Sequence, residues 1–111
     1  MDAPSLTPEI SEIINSVVSR VVKCVAVIKV YLFGSYYSGT YNKDSDIDIA
    51  FFIKSNETLI DAHRKIIKIT SKYPVDIQPQ VFYESELDDR VGIVEEILEN
   101  GVEIDFEREL E

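Results

Sequence analysis

The 111 residues are 45% hydrophobic, enough for one compact domain, residues 1–111, with a single modest core and no second domain. Eleven bases against twenty-one acids leave a net charge of −10, which repels polyanions and so excludes long DNA or RNA as the expected substrate. No apolar run approaches the ~20 residues of a membrane span, and one cysteine, Cys24, excludes an internal disulfide; a protein of a reducing, cytoplasmic compartment is expected.

Met1 to Leu6 carries no periodic pattern. Thr7-Pro8-Glu9 is a helix start, with Thr7 as N-cap and Pro8 at the first helical position, and Ile10, Ile13, Ile14, Val17, Val18, Val21 and Val22 then recur at helical spacing. That stripe predicts a helix packed on a sheet. The apolar run from Cys24 to Phe33, interrupted by Lys29, reads as a central strand over Val25 to Phe33 covered on both faces, with Cys24 as a small buried hydrophobe.

Gly34-Ser35 follows directly, where a buried strand must stop and turn. Glycine lets the backbone approach a ligand, and a short helix starting at Ser35 would aim free N–H groups and the Ser35 hydroxyl at an anion. The pair is therefore a candidate site for nucleotide phosphates. Three tyrosines, Tyr36, Tyr37 and Tyr41, lie in the following turn region, where one could stack on a base or simply cover the core edge.

Asp46-Ile47-Asp48-Ile49 opens the next strand, with Ile47, Ile49, Phe51 and Ile53 on one face and Asp46 and Asp48 together on the other. Two carboxylates so close repel unless a cation lies between them, and oxygen ligands with room for phosphates suit Mg²⁺. Ser55 or Asn56 then caps a helix bearing Leu59, Ala62, Ile66, Ile67 and Ile69, with Arg64, Lys65, Lys68 and Lys72 towards its C-terminal end. His63, on its apolar side, is expected to be a boundary histidine rather than a catalytic one. Pro74 stops this helix. A strand over Val75 to Phe82 follows, in which Asp76, Gln78 and Gln80 share the polar side and Pro79 demands an edge position or a bulge.

Ser85 and Asp88 suggest a capping box for a third helix with Leu87, Val91, Val94, Ile97 and Leu98, ended at Asn100-Gly101. Val102, Ile104 and Phe106 alternate with acids, as in a short last strand or extended tail. Residues 84–111 hold twelve acids and two bases, so all of the net charge sits in this C-terminal segment: a solvated face, or one that meets a basic partner.

Gly34-Ser35, ten residues, then Asp46-x-Asp48 resembles the signature of the DNA polymerase β-like nucleotidyltransferase superfamily, and "YLFGSYYSGTYNKDSDIDIAFF" is similar to its minimal nucleotidyltransferase (MNT) branch. The pattern spans roughly residues 28 to 82. The resemblance implies an α/β (α+β) fold, a small mixed β-sheet with helices packed on it. It implies that Asp76, in Val75-Asp76-Ile77, is the third carboxylate, so that Asp46, Asp48 and Asp76 hold two Mg²⁺ ions while Gly34 and Ser35 hold the outer phosphates of ATP, the expected donor. It further implies an antitoxin paired with a HEPN-domain toxin, acting by binding or by transferring AMP to it.

Many relatives carry Arg or Lys where Ser38 stands before Gly39, and Lys43 and Lys54 are the candidates to supply that charge here. Three functions stay open: a transferase modifying a partner protein, a binding-only antitoxin with a degenerate site, which Ser38 favours, and a transferase for a small hydroxylated molecule such as an aminoglycoside. The absence of an acceptor-binding domain after Asp76 counts against the last.

Overall fold

A computed structural model describes residues 8–33, 47–89 and 91–106. Helix α1 spans Pro8–Val21, strand β1 Val27–Phe33, strand β2 Ile47–Ile53, helix α2 Leu59–Thr70, strand β3 Ile77–Tyr83, helix α3 Gly92–Asn100 and strand β4 Val102–Glu103. The four strands form one mixed sheet in the order β3-β2-β1-β4. β1 runs antiparallel to both β2 and β4, whereas β2 and β3 are parallel, joined by the α2 crossover. Among the described residues no helix is long and apolar enough to cross a membrane.

Period-two alternation along β2 decides how the layers stack. Ile47, Ile49, Phe51 and Ile53 join Val30, Leu32 and Ile77 beneath α1 and α2, which contribute Ile14, Val17, Val18, Val21, Ala62 and Ile66. The opposite face offers Ala50 and Phe52 to Val94 and Ile97 of α3, with Tyr31, Phe33, Phe82, Leu87 and Leu98 around them. Phe52 stacks on Phe82 at 5.2 Å and meets Tyr31 edge-on at 5.9 Å, so aromatic pairs tie β1, β2 and β3 together on this side. β2 is therefore the strand covered on both faces, every residue but Asp48 being buried; β1 is interior too, but alternate residues along it stay half-exposed.

Several expectations hold. α1 carries its stripe into the core, β3 is an edge strand as Pro79 required, and the alternating tail pairs with β1 and continues with Ile104 N–H donating to Val30 C=O at 2.8 Å. Others are corrected. The cap of α2 is Thr58, whose hydroxyl accepts from Asp61 N–H at 3.1 Å, not Ser55 or Asn56. Ser85 and Asp88 do not open a helix with a capping box. Glu84–Leu87 is a 3-10 turn closed by Asp88 N–H on Ser85 C=O, and α3 starts only at Gly92. Cys24 is exposed in the turn after α1, and His63 is exposed on α2. The Thr7 cap and the Met1 to Leu6 stretch lie outside the described residues.

Candidate active site

The C-terminal end of β1 and the N-terminal ends of β2 and β3 come to one end of the sheet. Phe33, the residue before Gly34, pairs with Asp48 across the antiparallel ladder, and Asp48 pairs with Gln78 across the parallel one. The β2–β3 ladder opens one step earlier, where Ile47 N–H donates to Asp76 C=O at 2.8 Å and Ile47 is in register with Ile77. Residues in register point to the same side, and Asp76 is two residues before Gln78. Asp76 and Asp48 therefore project from the same side of the sheet, away from Ile47, Ile49 and Ile77 and towards the α3 side. A strand spacing of about 4.8 Å and a two-residue rise of about 6.6 Å put their Cα atoms about 8 Å apart, within reach of a shared group.

Core packing enforces that aim. Ile47 and Ile49 are fully buried and Ile77 nearly so, so the alternate positions must turn outward. Asp48 is half-buried beyond the cover of α3, and Asp76 is exposed at the strand entrance. Two anionic oxygen donors without a nearby soft ligand fit a hard cation such as Mg²⁺. Among the described residues no three His, Cys, Asp or Glu side chains cluster as a metal site; Asp46, one of the three expected ligands, lies outside them, as do Gly34, Ser35, Ser38 and the three turn tyrosines. Lys43 lies outside as well. Lys54 sits just past the far end of β2, six residues from Asp48 and thus roughly 20 Å from it along the strand.

Two residues matter to this end of the sheet for reasons the sequence did not disclose. Gln78, exposed and in register with Asp48, is the polar neighbour between the two aspartates. Gly101 closes α3, but not by a left-handed cap: its φ is −83°. A Cβ there would lie 2.6 Å from Ile97 C=O, 3.0 Å from Leu32 C=O and 3.4 Å from Phe33 Cβ. Glycine is what lets α3 end against the last two residues of β1, immediately before Gly34.

Comparison with known proteins gives the family. The sequence pattern of the family described as "Nucleotidyltransferase domain" matches residues 10–106. A protein of Methanocaldococcus jannaschii named "Putative protein adenylyltransferase" is 36% identical over 80 residues, 68% of this chain and 77% of that one. A crystal structure described as "a putative nucleotidyltransferase" from Sulfolobus solfataricus superposes with a TM-score of 0.59 at 26% identity, covering 83% of this chain and 76% of the other. Because the family pattern takes in α1 through the residues after β4 and the fold is shared with that solved relative, the chain belongs to the nucleotidyltransferase domain family, whose substrate is a nucleoside triphosphate.

Proposed function

We propose that the chain transfers AMP from ATP to a hydroxyl on a partner protein, and that the partner is a HEPN-domain toxin for which it serves as antitoxin. The observation that carries the reading is the shared side of Asp48 and Asp76 across the parallel β2–β3 register, beside the end of β1. The name of the Methanocaldococcus relative supports a protein acceptor. In the proposed reaction the acceptor oxygen bonds to the α-phosphorus, the bond to the β-phosphate oxygen breaks, and pyrophosphate leaves with its charge. Asp46, Asp48 and Asp76 would hold the two Mg²⁺ ions, the Asp76 carboxylate would take the proton that the acceptor hydroxyl loses, and Gly34 and Ser35 would hold the outer phosphates. The bound cations would neutralise charge on the phosphates as it shifts to the leaving group.

The test is incubation with α-phosphate-labelled ATP, Mg²⁺ and the protein encoded beside it. Label should appear on the neighbour and vanish with Asp46→Asn, Asp48→Asn or Asp76→Asn, each folded as the parent. Labelling retained by all three variants rejects the metal assignment. A tight complex without label supports the second reading, the binding-only antitoxin that Ser38 favours.

A further inference from the structure

All four large apolar side chains that are exposed among the described residues fall into two patches of opposite charge. On α2, Ile60 is 69% exposed and Ile67 40%, seven residues apart on one helix face. With Pro79 and Val81 of the edge strand β3 they line a groove of about 590 Å³. The ionisable residues lining it are His63, Arg64 and Lys68, without an acid. Arg64 is held only by a 3.7 Å contact with exposed Asp61, and Lys68 makes no ion pair among the described residues. The second patch is the start of α3, where Val91 is 67% and Ile93 48% exposed, flanked by exposed Asp88, Asp89, Glu95 and Glu96.

α2 covers one face of the sheet and α3 the other. The groove and the acidic patch of one molecule therefore cannot meet each other. We propose that the groove between α2 and β3 receives the Val91/Ile93 patch of a second copy of this chain, apolar side chains entering the groove and the flanking carboxylates facing Arg64 and Lys68. The occupant follows from complementarity: in a chain of net charge −10 this groove is a basic surface, and the α3 start offers two aliphatic side chains in a sequence where four acids outnumber one base, Arg90. Such a contact is heterologous. Each copy keeps one free groove and one free patch, so association proceeds head to tail.

Sedimentation velocity over a concentration series reaching about 500 µM suits a contact this small, which belongs to the weak, transient class. The weight-average sedimentation coefficient should rise with concentration and fall back at high salt. A groove variant, Ile67→Glu with Lys68→Glu, and a patch variant, Val91→Ser with Ile93→Ser, should each associate at least tenfold more weakly. Mixed in equal amounts, the two should form a discrete one-to-one dimer, because one intact groove and one intact patch remain and the altered pair cannot meet. That dimer also shows that both variants are folded, with far-UV circular dichroism as a second check. A wild type that stays monomeric throughout, a groove variant that associates as well as wild type, or a mixture without a dimer overturns the proposal, and in the first case the groove serves another occupant.

Discussion

Replacing Gly101 with alanine tests whether space, rather than backbone conformation, is what holds this position. Its φ of −83° and ψ of 172° are extended values open to any residue. If only conformation mattered, alanine would stabilise the protein by about 0.4–1 kcal/mol through a less flexible unfolded chain. The added Cβ, however, would meet the carbonyl oxygens of Ile97 and Leu32 at 2.6 and 3.0 Å, both backbone atoms that cannot swing aside. Overpacking of this kind costs about 1–3 kcal/mol. The two mechanisms thus predict opposite signs. At about 4–8 °C per kcal/mol for a domain near this size, thermal unfolding followed by circular dichroism should show Tm lowered by roughly 4–24 °C. Relief must come from moving the end of β1 or of α3, and Leu32 and Phe33 lead directly into Gly34. Label transfer should therefore fall more steeply than the folded fraction, since misplacement by about 1 Å can cost on the order of 100-fold. A Tm equal to or above that of the parent refutes the reasoning. Gly92 provides the contrast: its φ is +60° and nothing lies within 4 Å of its Cβ position, so Gly92→Ala should cost about 1–2 kcal/mol and Gly92→Asn less.

Thr58→Ala should lose about 1 kcal/mol with the cap bond to Asp61 N–H, measured by urea unfolding, whereas Ser55→Ala and Asn56→Ala should change little. Phe52→Ala should cost about 3–5 kcal/mol, because Phe52 is fully buried between Tyr31, Phe82 and α3. Millimolar Mg²⁺ with ATP should raise the Tm of the parent through binding to the folded state alone, and chelation should reverse it. The Asp48→Asn and Asp76→Asn variants should lose that rise, and Asp76→Asn should keep a ligand-free Tm no lower than the parent, since it removes one like charge at the sheet end.

The elements with strong periodicity were legible before any coordinates. The α1 stripe, the alternation in β2 and the edge position implied by Pro79 are local consequences of burying one face, and the structure keeps them. The features that could not be read depend on contacts distant in sequence. Ser55, Asn56 and Thr58 are equally good caps by type; the choice falls on Thr58 where Tyr83 OH donates to Glu57 C=O at 3.1 Å and Lys65 pairs with the Glu57 carboxylate at 3.2 Å, fixing the turn before α2. Cys24 opens an apolar run whose first interruption is Lys29, so nothing in the letters marks the turn that carries it outward. Ser85, Asp88 and Leu87 match a helix start and so predict a longer third helix, whereas a glycine at positive φ opens the actual helix at Gly92. Gly101 read as a stop, and only the approach of β1 reveals its other reason.

For the candidate site the sequence names the aspartates, and only the fold shows how Asp48 and Asp76 are aimed. Asp48 and Asp76 are separated by a whole crossover, and their convergence requires β3 to lie parallel to β2 with Ile77 in register with Ile47. A slip of β3 by one residue would turn Asp76 into the layer occupied by Ile47, Ile49, α1 and α2, and would turn Ile77 out to water. Burial of Ile77, Ala62 and Ile66 opposes that slip, so the apolar packing of α2 against the sheet is also what points the second carboxylate at the first. The same crossover leaves β3 as an edge and α2 with Ile60 and Ile67 uncovered beside it. One topological choice thus creates both the acidic end of the sheet and the basic, apolar groove along its side. Changes at Ile67 and Lys68 should accordingly alter association without altering transfer, because those side chains leave the Ile47–Ile77 register untouched.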